Sequence, residues 1–308
     1  MEIQFHDNST LLYFGEQCTE YSDEIIWILQ ETELNRLTMR YTSPQLRYRD
    51  VMVNFIRSIG ECELLRRSTV HLAIYLLDAF MDNHSINDNR LNLVALSCLL
   101  LAAKMEENEP NVPTLASMNE LVRNQYPYSD FILLEVLLLK FFNWHLIIPT
   151  AATFAEFWLL NVVGKSDFSM SISDETFFER RARAIELVLE YLDLTLTDIK
   201  MTNIRPSLLA SACLAAARSS LPVQMVWTET MEELTGYSYH EIATLTRELM
   251  NWRACLIAKE TACRKRSACD SGYLTEFPAD ADESDDFEFD TEESDDDIAF
   301  VLSCKRPK

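Results

Sequence analysis

LNLVALSCLLLAAKMEE, residues 91–107, decides the fold. From Leu93 to Ala103 only Ser97 and Cys98 interrupt aliphatic side chains and alanine, so no polar face survives at helical spacing. A helix apolar all round must be buried on every side. The run is shorter than the roughly 18 residues a membrane span requires, and its alanines admit close neighbours, so it reads as the axle of a soluble helical domain. It breaks abruptly into Lys104, Met105, Glu106 and Glu107, which puts a cation at the negative end of the helix dipole and beside the surface. Anything this helix does besides packing, it does there.

The rest of the chain fits an all-α reading. Five glycines in 308 residues leave little for tight hairpins or phosphate-cradling loops, and 48% hydrophobic residues are enough for two cores. Of 49 acidic and 27 basic residues, 14 and 6 fall within 264–308, leaving 35 and 21 before it. Body and tail are therefore both acidic and repel phosphate backbones and anionic lipid, so neither nucleic acid nor membrane is an expected partner. The 8 cysteines form no C-x-x-C pair and several lie in apolar runs, as reduced core residues do. With no basic-then-apolar leader, a cytosolic or nuclear protein is expected.

Upstream of the axle, periodicity predicts a helix from Ser22 that ends before Thr42–Pro44, with Ile25, Ile26, Leu29, Leu34 and Leu37 as its stripe. A second runs from Gln45 to Ile59 with Val51, Met52, Phe55, Ile56 and Ile59 on one side and Gly60 as its stop, and a third from Arg67 to Met81. Downstream come a short helix over Leu115–Arg123 and FILLEVLLLKFF capped by Ser129. The second half then repeats the first. LVALSCLLLAAK (93–104) over SLLASACLAAAR (207–218) matches Ser97 with Ser211, Leu100 with Leu214, Ala102 with Ala216, Ala103 with Ala217 and Lys104 with Arg218. Met118, Glu120 and Leu121 pair with Met231, Glu233 and Leu234, and Tyr128 with Tyr239. A repeat this long means two copies of one five-helix domain. Pro149–Thr150 is the expected joint, because proline stops the preceding helix and threonine caps the next. Further helices are predicted near 151–162, 174–192, 205–219, 228–235 and 239–258. The organisation is an extension at 1–20, an N-terminal helix plus first domain at 21–148, a second domain at 149–260, and an acidic tail at 261–308. That tail, with DADESDDFEFDTEESDDD, is too charged to pack and is expected to be disordered. Ser294, followed by three aspartates, is a candidate site for an acidophilic kinase.

No convergent catalytic set is visible: there is no H-E-x-x-H, P-loop, G-x-S-x-G or G-x-G-x-x-G, and no Cys or His pair has metal-ligand spacing. Neither an enzyme nor a cofactor nor a metal site is expected. What stands out is charge inside apolar helices. Asp78 in HLAIYLLDAF and Arg49 in the preceding helix suit a structural ion pair, since buried charges persist only when paired. Glu135 interrupts FILLEVLLLKFF. If that helix lies beside the axle, Glu135 and Lys104 meet at a surface, either as an ordinary salt bridge or as a polar pair that receives a partner.

YRDVMVNFI, HLAIYLLDAFMD, LVALSCLLLAAKMEENEP and LLEVLLLKFFNWHLIIPTAATF, in two tandem helical repeats, resemble the cyclin family over about residues 22–258. The resemblance implies two cyclin boxes and a regulatory subunit that binds and activates the catalytic subunit of a cyclin-dependent kinase, in cell-cycle control and in the nucleus, with the cytoplasm as a second compartment. It assigns kinase binding to Lys104 and Glu135, with Met105, Trp144 and Leu146 as apolar neighbours, and places Arg49 and Asp78 at the family's buried ion pair. The family's docking patch for Arg-x-Leu substrate peptides becomes Tyr48, Val51, Met52 and Phe55, with Asn54 where the family has an acid. Packing of these residues against the tail or the second domain is the plainer alternative. A cyclin-fold scaffold, or a transcription-related cyclin without a cell-cycle kinase, is the rival function.

Overall fold

The computed structural model describes residues 21–123, 125–168 and 172–269, and every regular element among them is helical. The first half contains α1 (Ser22–Glu33), α2 (Arg49–Cys62), α3 (Arg67–Asn83), α4 (Leu91–Glu106), α5 (Leu115–Leu121) and α6 (Tyr128–Phe141). The second contains α7 (Ala151–Trp158), α8 (Asp174–Thr195), α9 (Pro206–Ser219), α10 (Glu229–Thr235) and α11 (Tyr239–Cys269). Residues 1–20 and 270–308, with Ser294 and most of the acidic tail, lie outside the described residues.

The axle is where its composition puts it. Every residue of α4 from Leu93 to Ala103 is buried, and the helix packs on α3, α2 and α6. Its repeat counterpart α9 is buried from Leu209 to Arg218 and packs on α7, α8 and α11. Each axle is thus the centre of its own five-helix repeat, with its own apolar core. At the joint, Thr150 and Thr153 form a reciprocal capping box that starts α7, with Thr153 N donating to Thr150 Oγ1 (3.3 Å) and Thr150 N to Thr153 Oγ1 (3.1 Å).

Several boundaries differ from the sequence reading, each for a local reason. Gly60 lies inside α2, which runs on to Cys62; a Cβ there would meet Val70 Cγ2 of α3 at 2.6 Å, so the glycine serves close helix approach. α2 begins at Arg49 after a 3-10 turn over Leu46–Tyr48, and it buries Met52, Val53, Ile56 and Ile59 while Val51 is exposed. α6 starts one residue before Ser129, with Pro127 at its N-cap. α11 continues to Cys269, past the boundary expected at 260.

α1 ends at Glu33, and only Ile26 and Leu29 of its predicted stripe pack against a core; Ile25, Leu34 and Leu37 are exposed. That core belongs to the second repeat. Both Glu33 carboxylate oxygens accept from Ser207, at 2.9 Å from N and 2.6 Å from Oγ, and Gln30 Nε2 donates to Thr235 O at 3.2 Å. The helix that precedes the first repeat in sequence is therefore a brace on the second.

Candidate functional site

Arg49 and Asp78 form the buried clamp expected of them. Nε and Nη2 each donate to a carboxylate oxygen at 2.8 Å, and both residues are buried. Burial pushes the Asp78 carboxyl above its usual range, against the pull of the two Arg49 bonds. The third donor, Nη1, bonds Leu196 O at 3.0 Å, which the sequence reading missed. The clamp thus reaches the second repeat.

Lys104 and Glu135 do meet. The end of α4 and the middle of α6 bring Lys104 Nζ to 2.6 Å from Glu135 Oε1, with side chains 41% and 26% exposed. One exposed ion pair contributes little by itself; its surroundings are more informative. α6 turns Phe131, Leu134 and Leu138 inward and leaves Ile132, Leu133 and Val136 exposed beside Glu135. Met105 is exposed at the end of α4, and Trp144 and Ile147 follow α6 at 66% and 72% exposure. The local backbone explains Trp144. α6 closes with Trp144 N donating to Leu139 O (2.8 Å) and Asn143 N to Lys140 O (3.1 Å), a Schellman motif whose left-handed residue is Asn143. Trp144 is left-handed too, at φ 63°.

Leu146 is a correction. It is buried in the first core, so it supports this surface from below and cannot touch a partner. Its neighbour Ile147 points outward instead. Ile132, Leu133, Val136 and Ile147 were missed because an apolar residue in an apolar run carries no sign of which way it faces. The one available signal was Glu135, which marks the solvent side of its own helix.

The other two residues of KMEE have a different task. Glu107 Oε1 accepts from Arg66 N (2.7 Å) and Thr69 Oγ1 (2.6 Å), capping α3, while Glu106 O accepts from Arg66 Nη1 (2.7 Å). Arg66 Nη2 then pairs with Glu156 of the second repeat at 2.7 Å. Burial raises the pKa of Glu106 and Glu156, and Glu156 adds to the effect on Glu106. One short segment therefore faces solvent with Lys104 and Met105, links to the second repeat from Glu106 through Arg66, and caps α3 with Glu107.

Arg218, the repeat counterpart of Lys104, is 1% exposed and inaccessible to a partner. It holds both oxygens of Asp167 at 2.8 Å and donates to the carbonyls of Val162, Met225 and Val226. Burial opposes ionisation of Asp167, but the bonds from Arg218 and Gly164 N hold its pKa below the usual range. The surface pair thus belongs to the first repeat.

In the proposed docking patch Val51 is exposed and Phe55 half-buried, but Met52 belongs to the first core. Tyr48 is held by its hydroxyl, which donates to Asp88 Oδ2 at 2.6 Å, with Arg47 stacked on its ring. The accessible patch is therefore Tyr48, Val51 and Phe55. Among the described residues no helix is long and apolar enough to cross a membrane, and no three His, Cys, Asp or Glu side chains are grouped to hold a metal.

Comparison with known proteins agrees with this architecture. The family model for the cyclin N-terminal domain matches residues 24–147, and that for the cyclin C-terminal domain matches 163–271. A mouse Cyclin-J-like protein is 33% identical over 229 residues, 72% of this chain and 59% of that protein. Human Cyclin-J is 32% identical over 227 residues, 72% of this chain and 58% of that protein. The match thus spans about three fifths of each relative's length. Among solved structures, a viral cyclin from herpesvirus saimiri superposes with a TM-score of 0.58 over 74% of this chain and 96% of its own, at 16% identity, which speaks to the fold alone.

Proposed function

The chain belongs to the cyclin family, and on that premise we propose that it is a regulatory subunit which binds the catalytic subunit of a cyclin-dependent kinase and holds it active in the cell cycle. The observation that carries this is the Lys104–Glu135 pair ringed by exposed Met105, Ile132, Leu133, Val136, Trp144 and Ile147. An exposed apolar patch around a small polar centre is what a protein partner covers. Cyclins are regulators rather than catalysts, so the activity would be the kinase's.

A kinase alone samples arrangements in which its αC glutamate is swung away from the lysine that orients ATP. A subunit that binds only the active arrangement shifts the population. Moving that equilibrium from 1:99 to 99:1 takes about 5.5 kcal/mol of differential affinity. One exposed ion pair offers at most about 1 kcal/mol, so the apolar ring must supply most of it, with the pair fixing register. Tyr48, Val51 and Phe55 are the surface proposed to take Arg-x-Leu substrate peptides, and the nucleus is the proposed compartment.

The test is a phosphorylation assay in which purified protein is added to each of several inactive cyclin-dependent kinases. Activation of at least one is expected, and Lys104→Ala with Glu135→Ala should weaken that complex up to about fivefold without changing the melting temperature. Absence of any complex, or full-strength pull-down by the double variant, defeats the assignment and leaves a cyclin-folded scaffold.

A further inference from the structure

Three side chains meet where α2 begins. Tyr48 Oη donates to Asp88 Oδ2 at 2.6 Å, Arg47 Nη2 donates to the same oxygen at 3.4 Å, and the Arg47 guanidinium lies 4.6 Å from the Tyr48 ring centroid. A carboxylate beside an aromatic face is a seat for a guanidinium, which pairs with the one and stacks on the other. This seat holds its occupant loosely. Arg49 and Arg218 grip their carboxylates at 2.8 Å and are buried, whereas the Arg47 and Asp88 side chains are 69% and 56% exposed. Both bonds to Asp88 fall on Oδ2, and Oδ1 accepts none among the described residues. A guanidinium arriving from solvent can engage both oxygens, which Arg47 does not.

Apolar surface continues from the seat along α2. Val51 is exposed and Phe55 half-buried, and they follow Tyr48 by about 4.5 and 10.5 Å along the helix axis. In an extended peptide, side chains two residues apart face the same way about 6.6 Å from each other, which matches the step from the seat to this pair. We propose that Asp88 and the Tyr48 ring read the arginine of a docked substrate segment. Arg47 is then a placeholder that this arginine displaces, while an aliphatic side chain two residues on settles against Val51 and Phe55. This role rests on the substrate surface proposed above, and it supplies from Asp88 the acid that Asn54 does not. An exposed pair holds by no more than a factor of about five, so displacing Arg47 costs a substrate no more than that.

The experiment is fluorescence anisotropy of the full chain with a labelled peptide carrying Arg-Ala-Leu, beside the same peptide with citrulline, a neutral isostere, in place of arginine. Arg47→Ala is expected to tighten binding of the arginine peptide about twofold to fivefold, and Asp88→Asn to weaken it about fivefold. In the double variant most of the gain should vanish, because Asp88 is what holds Arg47 in the seat. The citrulline peptide should bind wild type and Asp88→Asn alike. Both side chains are exposed, and unchanged melting temperatures check that each variant folds. A gain from Arg47→Ala that survives in the Asp88→Asn background is a general charge effect and overturns the inference, as does an arginine peptide indifferent to both variants. Binding of neither peptide, by wild type or by Arg47→Ala, overturns it together with the substrate surface. Kinase activation with a peptide indifferent to both variants would defeat the seat and leave the regulatory role standing; a peptide that answers to both, without activation, would do the reverse.

Discussion

At the scale of single residues, the decisive property is the direction a side chain faces. Ile132 and Leu134 are near neighbours on α6, one 55% exposed and the other 3%. Ile132→Asp with Leu133→Asp is therefore expected to leave the melting temperature within about 2 °C and to abolish kinase pull-down, while Leu134→Asp unfolds the first repeat by burying an unpaired charge. Circular dichroism melts beside the pull-down separate the two outcomes. Asp167 gives a second contrast. Removing its charge with Asn leaves buried Arg218 unpaired, and breaking such a pair costs about 3–5 kcal/mol. Because Arg218 holds the folded pKa of Asp167 below its unfolded value, this stabilisation is present above an unfolded pKa of about 4 and fades as pH falls through the folded value. Urea titrations at pH 7 and pH 3 should show the gap between wild type and Asp167→Asn closing in acid. Lys104 and Glu135 could be read from the sequence because a charge in an apolar run is conspicuous. Val136 and Ile147 could not, because burial alone distinguishes them from Leu138 and Leu146.

At the scale of elements, hydrophobic period located every helix and local chemistry set the ends. α4 and α9 were legible because nothing in them faces solvent. Glycine was misleading: Gly60 looks like a stop and is a contact, with Val70 Cγ2 where a Cβ would be. Gly60→Ala improves helix propensity by about 1 kcal/mol, yet the overpacking should cost about 1–3 kcal/mol, so a net loss of up to about 2 kcal/mol is expected. Adding Val70→Ala should recover most of it in a double-mutant cycle measured by chemical denaturation. A coupling energy of zero between the two substitutions in that cycle would mean that α2 and α3 part freely. The end of α6 was equally hidden, since its left-handed cap falls on Asn143 and Trp144 rather than on glycine.

At the scale of the whole molecule, the internal repeat announced two domains but not how they are joined. Polar bonds cross the joint beside the apolar contact of Leu196 with the first core: Arg49 reaches Leu196 O, Arg66 reaches Glu156, and Asn203 exchanges two hydrogen bonds with the backbone of Met39. A small cavity there is lined by Arg36, Arg49, His71 and Asp78. His71 is buried with Nε2 unpartnered, and its pKa is lowered to about 4, chiefly by burial; Asp193 pulls it up while Arg67, Arg57 and Arg36 push it down. The unfolded chain therefore binds the proton more tightly, so His71 supports the fold fully above about pH 6.5 and progressively less down to about pH 4. The loss amounts to roughly 3 kcal/mol. Stability of His71→Gln measured across this range should be flatter than that of wild type, and parallel curves would remove His71 from the account. The brace formed by α1 has a consequence in time. Glu33 is made 174 residues before the Ser207 that it grips, and at 5–20 residues per second the ribosome takes roughly 9–35 s to cover that distance. Until then Ile26 and Leu29 have nothing to rest on, so a nascent or truncated chain that stops short of α9 displays a greasy, undocked helix to chaperones and proteases. Completion of the second repeat is what withdraws that signal.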